Sequence, residues 1–252
     1  MERNTALFNY LLRLADNSAI LGHRLSEWCG HGPELEEDIA IINTSLDLLG
    51  QARSFYQYAA EVEGKGKSED DLAFLRQERE YRNALICEIP NGHYGDTIAR
   101  QFLFDHLNIL LFTELEKSND ETIAGIAAKA VKEIRYHVRR STEWTMRLGD
   151  GTEESHNKIQ QSFNDLWKYT GDLFVQDEGD LEIIEAGFGP DLNILFPIWK
   201  ENVKAGMIEA TLSVPEDGWM QQGSKEGRHT ENMGHLLSEL QYLQRAYPGC
   251  EW

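Results

Sequence analysis

Eight positions between Ile123 and Leu148 constrain this chain more than any other feature. Ile123, Ala127, Ala130, Ile134, His137, Ser141, Trp144 and Leu148 recur at alternating steps of three and four, which puts them on one face of a long helix. A β-strand would need steps of two, and no run of that kind occurs anywhere in the sequence. One position of this inward stripe is a histidine, in the stretch Lys132-Glu133-Ile134-Arg135-Tyr136-His137. A second stripe, Ile98, Phe102, Asp105, Ile109 and Phe112, carries an aspartate at its centre. A histidine and an acid where a bundle helix normally places aliphatic residues point to a metal site or to what is left of one.

The rest of the chain follows the same helical grammar. A first helix is predicted from Asn4 to Trp28, with Leu7, Leu11, Leu14, Ser18, Leu21, Leu25 and Trp28 inward, and Cys29-Gly30-His31-Gly32-Pro33 ends it. The second, Glu34 to Glu63, opens with acids that oppose the positive end of the helix dipole. It is apolar on two faces, one of Leu35, Ile39, Ile42, Leu46 and Leu49 and one of Ile41, Ser45, Leu48, Ala52, Phe55 and Ala59, and is therefore expected inside a bundle. Ser68-Glu69-Asp70-Asp71 resembles an N-cap and predicts a helix to about Cys87, on which Arg76, Arg79 and Arg82 would form a basic ridge.

Helices from Asp96 to Lys117 and from Glu121 to Leu148 carry Asp105 and His137. Three more are predicted: Glu154 to Phe174, one through Leu195-Phe196-Pro197 to Leu212 that Pro197 would kink, and Thr230 to Tyr247 with Thr230 as N-cap. Gly179 to Pro190 is turn-rich, Ser213 to Arg228 reads as a long surface loop, and His229-Thr230-Glu231 as a loop leading into the last helix. The fold class is all-α, a helical bundle with additional helices, and residues 1–252 are expected to form a single domain.

Composition removes several classes of function. With 43 acidic against 24 basic residues the formal net charge is −19, which repels nucleic acid and anionic lipid and suits a basic protein partner. Cys29, Cys87 and Cys250 form neither a disulfide framework nor a zinc pattern. No apolar run approaches the roughly 20 residues that span a bilayer, and the N-terminus has no signal-like apolar core, so a cytoplasmic location is expected. Phosphate-binding glycine loops and the Gly-x-Ser-x-Gly elbow are missing too.

The polar stripe positions can be scored against a known chemistry. A carboxylate-bridged di-iron site in a four-helix bundle takes a Glu from each of two helices and Glu-x-x-His from each of the other two, because i and i+3 share a face. Here the inner positions at matching depth read Ser18 or Ala19, Leu48 with Gln51, Asp105, and Ile134 with His137. The paired positions are Leu-x-x-Gln and Ile-x-x-His, and one histidine with Asp105 and Glu133 leaves two irons underligated. Two readings remain. Asp105 and His137 form a buried pair that fixes helix register, joined by Gln51 or Arg135 and extended by some of Asp16, His23, Asp47 and Arg53. Alternatively, Asp105, Glu133 and His137 serve a stand-alone metal-dependent oxygenase or hydrolase. The basic group Lys129, Lys132, Arg135, Arg139 and Arg140 reads mostly as a solvated face, part of it free to pair with an acidic partner or with ligand phosphates.

Longer stretches carry a family resemblance. Leu25-Ser26-Glu27-Trp28-Cys29-Gly30-His31-Gly32-Pro33-Glu34-Leu35-Glu36 and Leu46-Asp47-Leu48-Leu49-Gly50-Gln51-Ala52-Arg53 are the longest, with Pro90-Asn91-Gly92, Asp96-Thr97-Ile98-Ala99-Arg100-Gln101, Lys132 to His137 and Gln241-Tyr242-Leu243-Gln244-Arg245 further along. Together they resemble the PaaC-type family of phenylacetic acid degradation proteins over essentially the whole chain. The resemblance implies a ferritin-like bundle in a bacterial multicomponent oxygenase that epoxidises phenylacetyl-CoA. In that system a homologous di-iron catalytic subunit (PaaA-like) holds the metal, a reductase supplies electrons from NADPH, and the PaaC-type chain pairs with the catalytic subunit without a cofactor of its own. It agrees with the spacing, which makes Ser18, Leu48, Gln51, Asp105, Ile134 and His137 degenerate metal-site positions with no catalytic residue expected among them. Arg76, Arg79, Arg82, Lys129 and Lys132 then become candidate contacts to the partner or to coenzyme A, and a homodimer is one state open to the chain when alone.

Overall fold

The computed structural model describes residues 3–250, and the regular structure among them is entirely helical. In chain order the α-helices are α1 (Arg3–Ser26), α2 (Leu35–Glu63), α3 (Glu69–Phe74), α4 (Leu85–Glu88), α5 (Tyr94–Leu115), α6 (Glu121–Gly149), α7 (Glu153–Trp167), α8 (Glu178–Glu185), α9 (Leu192–Glu209), α10 (Glu231–Leu240) and α11 (Tyr242–Ala246). Four of them, α1, α2, α5 and α6, exceed 20 residues and are the long elements that a ferritin-like bundle is made of. The chain divides into two compact units. One takes the residues up to Pro90, Asp177–Ile183 and the segment from Gly223 onward, and the other takes Asn91–Gln176 and Ile184–Gln222.

The first unit is built on α1 packed along α2. Leu7, Leu11, Leu14, Leu21 and Leu25 are buried, as are Ile41, Leu48, Ala52, Phe55 and Ala59 of α2. Each fully buried Leu or Ile contributes on the order of 1.5–3 kcal/mol. The helices meet closely at Gly22, where a Cβ would lie 3.2 Å from Leu49 Cγ and 3.2 Å from the Ser45 carbonyl oxygen. The Ser45 hydroxyl uses that proximity to donate to the Gly22 carbonyl at 2.7 Å. The helix α2 then ends at Gly64, whose left-handed backbone (φ 66°) returns its N–H to Ala60 O.

Several expectations are corrected here. The face of α2 formed by Leu35, Ile39, Leu46 and Leu49 is exposed, not packed in a core; Leu35 alone is 71% exposed and Leu46 60%. The predicted helix from Ser68 to Cys87 does not form. Ser68 does cap α3, with a capping box to Asp71, but the helix ends after Phe74 and a single 3₁₀ turn (Glu78–Glu80) and the short α4 replace the remainder. The reason is a set of competing acceptors on α1: the Arg82 N–H donates to Asp16 Oδ2 at 2.7 Å and the Ala84 N–H to Asn17 Oδ1 at 2.7 Å. Backbone donors spent on side chains of α1 cannot continue a helix. The basic ridge therefore does not exist: Arg76 is buried, Arg82 half-buried and Arg79 exposed, on three different local structures.

In the second unit α5 is central, packed against α6, α7 and α9 and buried without interruption from Thr97 to Asn108. It carries more than the predicted stripe, because a helix surrounded on all sides has no wet face. The helix begins earlier than predicted, with His93 as N-cap and Asp96 as its capping-box partner. The α6 stripe is buried from Ile123 through Ser141, after which Thr145 and Gly149 replace Trp144 and Leu148 as the buried positions. The chain continues through Pro197 inside α9, where Trp199 is fully buried and donates its indole N–H to Leu103 O at 2.9 Å. Thr230 caps α10 as expected. Residues 178–185, read as part of a turn-rich stretch, form α8, and the helix predicted to reach Phe174 ends at Trp167 and continues as a 3₁₀ turn from Thr170. The last helix is interrupted at Gln241, whose amide donates to Arg76 O and to the Tyr81 hydroxyl.

Candidate functional site

The positions that the sequence suggested as a degenerate metal site are divided between the two units. In the first unit Ser18, Leu48 and Gln51 are buried, and the Ser18 hydroxyl turns back to Leu14 O at 3.2 Å within its own helix. In the second unit α5 places Asp105 and α6 places Ile134 and His137, and these two helices pack on each other. Ile134 is completely buried, and its side chain has no atom that can ligate a metal or donate a hydrogen bond.

Burial dominates the electrostatics of Asp105. It raises the carboxyl to about 6, although the His137 ring, a hydrogen bond from Ser141 and the Arg140 guanidinium all favour the charged form. Gln101 Nε2 lies 3.5 Å from Asp105 Oδ1, the outer limit for a hydrogen bond. The arginine of this cluster is Arg140, not Arg135. Arg135 is exposed, whereas Arg140 is buried and donates to the Tyr94 hydroxyl at 3.0 Å. The basic group on α6 is thus divided: Lys129, Lys132 and Arg139 face solvent and Arg140 does not.

The donor set does not fit a resident metal. Glu133 is half-buried on α6, and among the described residues no three His, Cys, Asp or Glu side chains converge to hold a metal ion, so Asp105, Glu133 and His137 are not brought together as ligands. What the arrangement supplies instead is a buried carboxylate beside a histidine, on two packed helices.

The chain as a whole matches known proteins. The model of the phenylacetic acid catabolic protein family matches residues 1–252. The chain belongs to that family. It is also 51% identical over 243 residues to a protein of Escherichia coli (strain K12) described as a subunit of 1,2-phenylacetyl-CoA epoxidase, a match that covers 96% of this chain and 98% of the relative.

Sequence reasoning missed the best-built polar clusters of this chain, which lie in the first unit. Asp16, fully buried on α1, accepts from the Tyr56 hydroxyl at 2.6 Å, from the Arg82 N–H, and from both terminal nitrogens of Arg76. Burial alone would lower the Arg76 pKa, but Asp16 and Tyr56 hold it above the ordinary arginine value. Arg76 also lies over the Tyr81 ring, 4.1 Å from its centroid. Its charge is therefore committed inside the unit.

Glu88 forms a second cluster. Its carboxylate accepts from Asn83 Nδ2 at 3.0 Å and from the Thr230 N–H, and meets His229 Nδ1 at 2.8 Å. His229 Nε2 lies 3.2 Å from Tyr81 O. A carbonyl and a carboxylate both accept, so a ring that satisfies both is the doubly protonated imidazolium. A third cluster joins Asp180 to Arg13 and Lys225, where burial, ahead of the repulsion from Arg13, lowers the lysine to about 8 despite Asp180. The charged partners in these clusters lie between 45 and 167 residues apart, and helical periodicity contains no signal for such pairs.

Proposed function

We propose that this chain is the non-catalytic structural subunit of a bacterial phenylacetyl-CoA epoxidase, pairing with and supporting a homologous di-iron subunit in the cytoplasm. The observation that carries the reading is the pair of positions three apart on each of two long helices, Leu48 with Gln51 and Ile134 with His137, where a di-iron bundle needs Glu and His. The Escherichia coli relative is itself described as one subunit of such an epoxidase, and a subunit has partners. The family match runs through both units, which supports treating residues 1–252 as one domain. In this reading the partner supplies the di-iron centre and a reductase brings electrons from NADPH. The net charge of −19 favours a partner with a basic surface. A stand-alone metal enzyme using Asp105, Glu133 and His137 is disfavoured, because those side chains do not converge.

The test is reconstitution. The purified chain is analysed for iron and assayed for oxygen-dependent epoxidation of phenylacetyl-CoA alone, and then with the purified di-iron paralogue, the reductase and NADPH. The expected outcome is substoichiometric iron and no turnover alone, a stable complex with the paralogue, and turnover in the mixture. Stoichiometric iron together with turnover by the isolated chain would overturn the reading.

A further inference from the structure

The exposed face of α2 has no role inside the described chain. Leu35, Ile39, Leu46 and Leu49 are 71%, 52%, 60% and 39% exposed, and Ile42 is half-buried on the same side, so an apolar strip runs along about four turns of one helix. A monomeric helix surface normally mixes polar residues into such a face. The opposite face of α2 is already packed, which means the strip is in addition to the core and not a part of it.

Gly50 lies one turn beyond Leu46 on this face, in the middle of the helix. A glycine there is disfavoured by about 1 kcal/mol relative to alanine. A Cβ at Gly50 would meet nothing within 4 Å, so no contact inside the chain asks for its absence. A backbone seated closely over the strip from outside would. Beside the C-terminal end of the strip a cleft of ≈ 210 Å³ is lined by Leu49, Ala52 and Phe74 together with Arg53, Glu69 and Asp70, a size that suits an apolar anchor side chain with a polar neighbour.

Charge selects the occupant. The N-terminal end of the strip is bordered by Glu34 and Glu36, both exposed, with Glu37 and Asp38 in the same turn, and the whole chain carries a net charge of −19. A second copy would bring a further −19 against it, and like-charge juxtaposition opposes association. We propose that this face of α2, from Leu35 to Arg53, is the seat of a helix of the di-iron paralogue, presented as an apolar stripe with lysine or arginine flanks. The inference rests on the proposed pairing and adds its location: the partner helix crosses closely at Gly50 and places an anchor side chain in the cleft next to Leu49.

The experiment uses the full chain and the purified di-iron paralogue, with affinity measured by titration calorimetry and assembly by sedimentation velocity. Leu46→Asp and Gly50→Leu both alter exposed positions, and unchanged circular dichroism melts verify that each variant folds. Leu46→Asp is expected to weaken the complex roughly 100-fold and Gly50→Leu roughly 10-fold, whereas Ile208→Asp on the exposed surface of α9 leaves affinity unchanged. Wild-type affinity in Leu46→Asp and Gly50→Leu overturns the docking site while leaving the pairing intact. No complex with the wild-type chain overturns the pairing itself, and the docking site with it. A wild-type homodimer that Leu46→Asp dissolves, with partner affinity unaltered, assigns the face to a second copy and also overturns the proposal.

Discussion

Asp16 and Asp105 are both buried acids on core-facing positions of long helices, one in each unit, and their surroundings treat them in opposite ways. Asp16 is 0% exposed and its two oxygens take four donors: two from Arg76, one from Tyr56 and the backbone N–H of Arg82. Asp105 is 3% exposed, with the Gln101 amide at 3.5 Å, and burial pushes its carboxyl up to about 6. A fold that needs a buried anion surrounds it with donors. Asp16 is such an anion. Asp105 is a buried acid whose desolvation outweighs the combined help of His137, Ser141 and Arg140.

The sharpest way to break that contrast is to remove each carboxylate. Asp16→Ala strands a buried guanidinium and the Tyr56 hydroxyl, and should destabilise the chain by about 3–5 kcal/mol in urea or guanidinium unfolding. A loss below about 1 kcal/mol would mean that Arg76 finds other acceptors, and the contrast would fail.

Asp105→Asn keeps the shape and removes the charge. The folded-state pKa of Asp105 is raised from 3.8 to about 6, so the group stabilises the fold fully below its unfolded value and loses that contribution as pH rises through about 6. The variant lacks this term. Its stability relative to wild type should therefore climb by up to about 3 kcal/mol between pH 4 and pH 7, leaving it at least as stable as wild type at pH 7.5. If Asp105→Asn is instead markedly less stable at pH 7.5, Asp105 is a well-served anion after all and the two aspartates are alike.

A third perturbation asks whether the first unit serves its other buried charges equally well. Burial works to lower the His229 pKa, but the hydrogen bond and charge of Glu88 and the Tyr81 carbonyl carry it above 6.5. With the folded value raised, the contribution is complete below about pH 6.5 and lost as pH rises through the folded pKa. His229→Gln should cost about 1–2 kcal/mol at pH 6 and less at pH 9. Equal losses at the two pH values would show that the ring is held neutral.

The helices that carry these sites were legible because apolar periodicity is a local property of a sequence. Ile123 through Ser141 and Leu7 through Leu25 are buried where the spacing puts them. What was not legible depends on partners far away. Arg76, Arg79 and Arg82 have helical spacing, yet Asp16 and Asn17, 60 or more residues earlier, take the side chain of Arg76 and the backbone donors of Arg82 and Ala84, and the segment breaks into a 3₁₀ turn and the short α4. His229 is the loop residue its sequence suggests, but its pairing with Glu88, 141 positions away, leaves no local signal. The second apolar face of α2 illustrates a different limit. Periodicity reports that a face is apolar, and a core and a docking surface satisfy that report equally well.

The smallest effect tests the weakest link at Asp105. Ser141 has one hydroxyl proton and two claimants: Val138 O, 3.3 Å away within the same helix, and the Asp105 carboxylate, whose ionised form it favours. A charged acceptor forms the stronger hydrogen bond, so the proton belongs to Asp105 when that carboxyl is ionised and to the Val138 carbonyl when it is not. Ser141→Ala should then raise the Asp105 pKa further above 6 in a carboxyl NMR titration and cost about 1 kcal/mol at pH 7.5, with no cost at pH 4. An unmoved titration would place the proton on Val138 at every pH. Asp105 would then hold its partial ionisation through His137 and Arg140 alone, and its difference from Asp16 would be larger still.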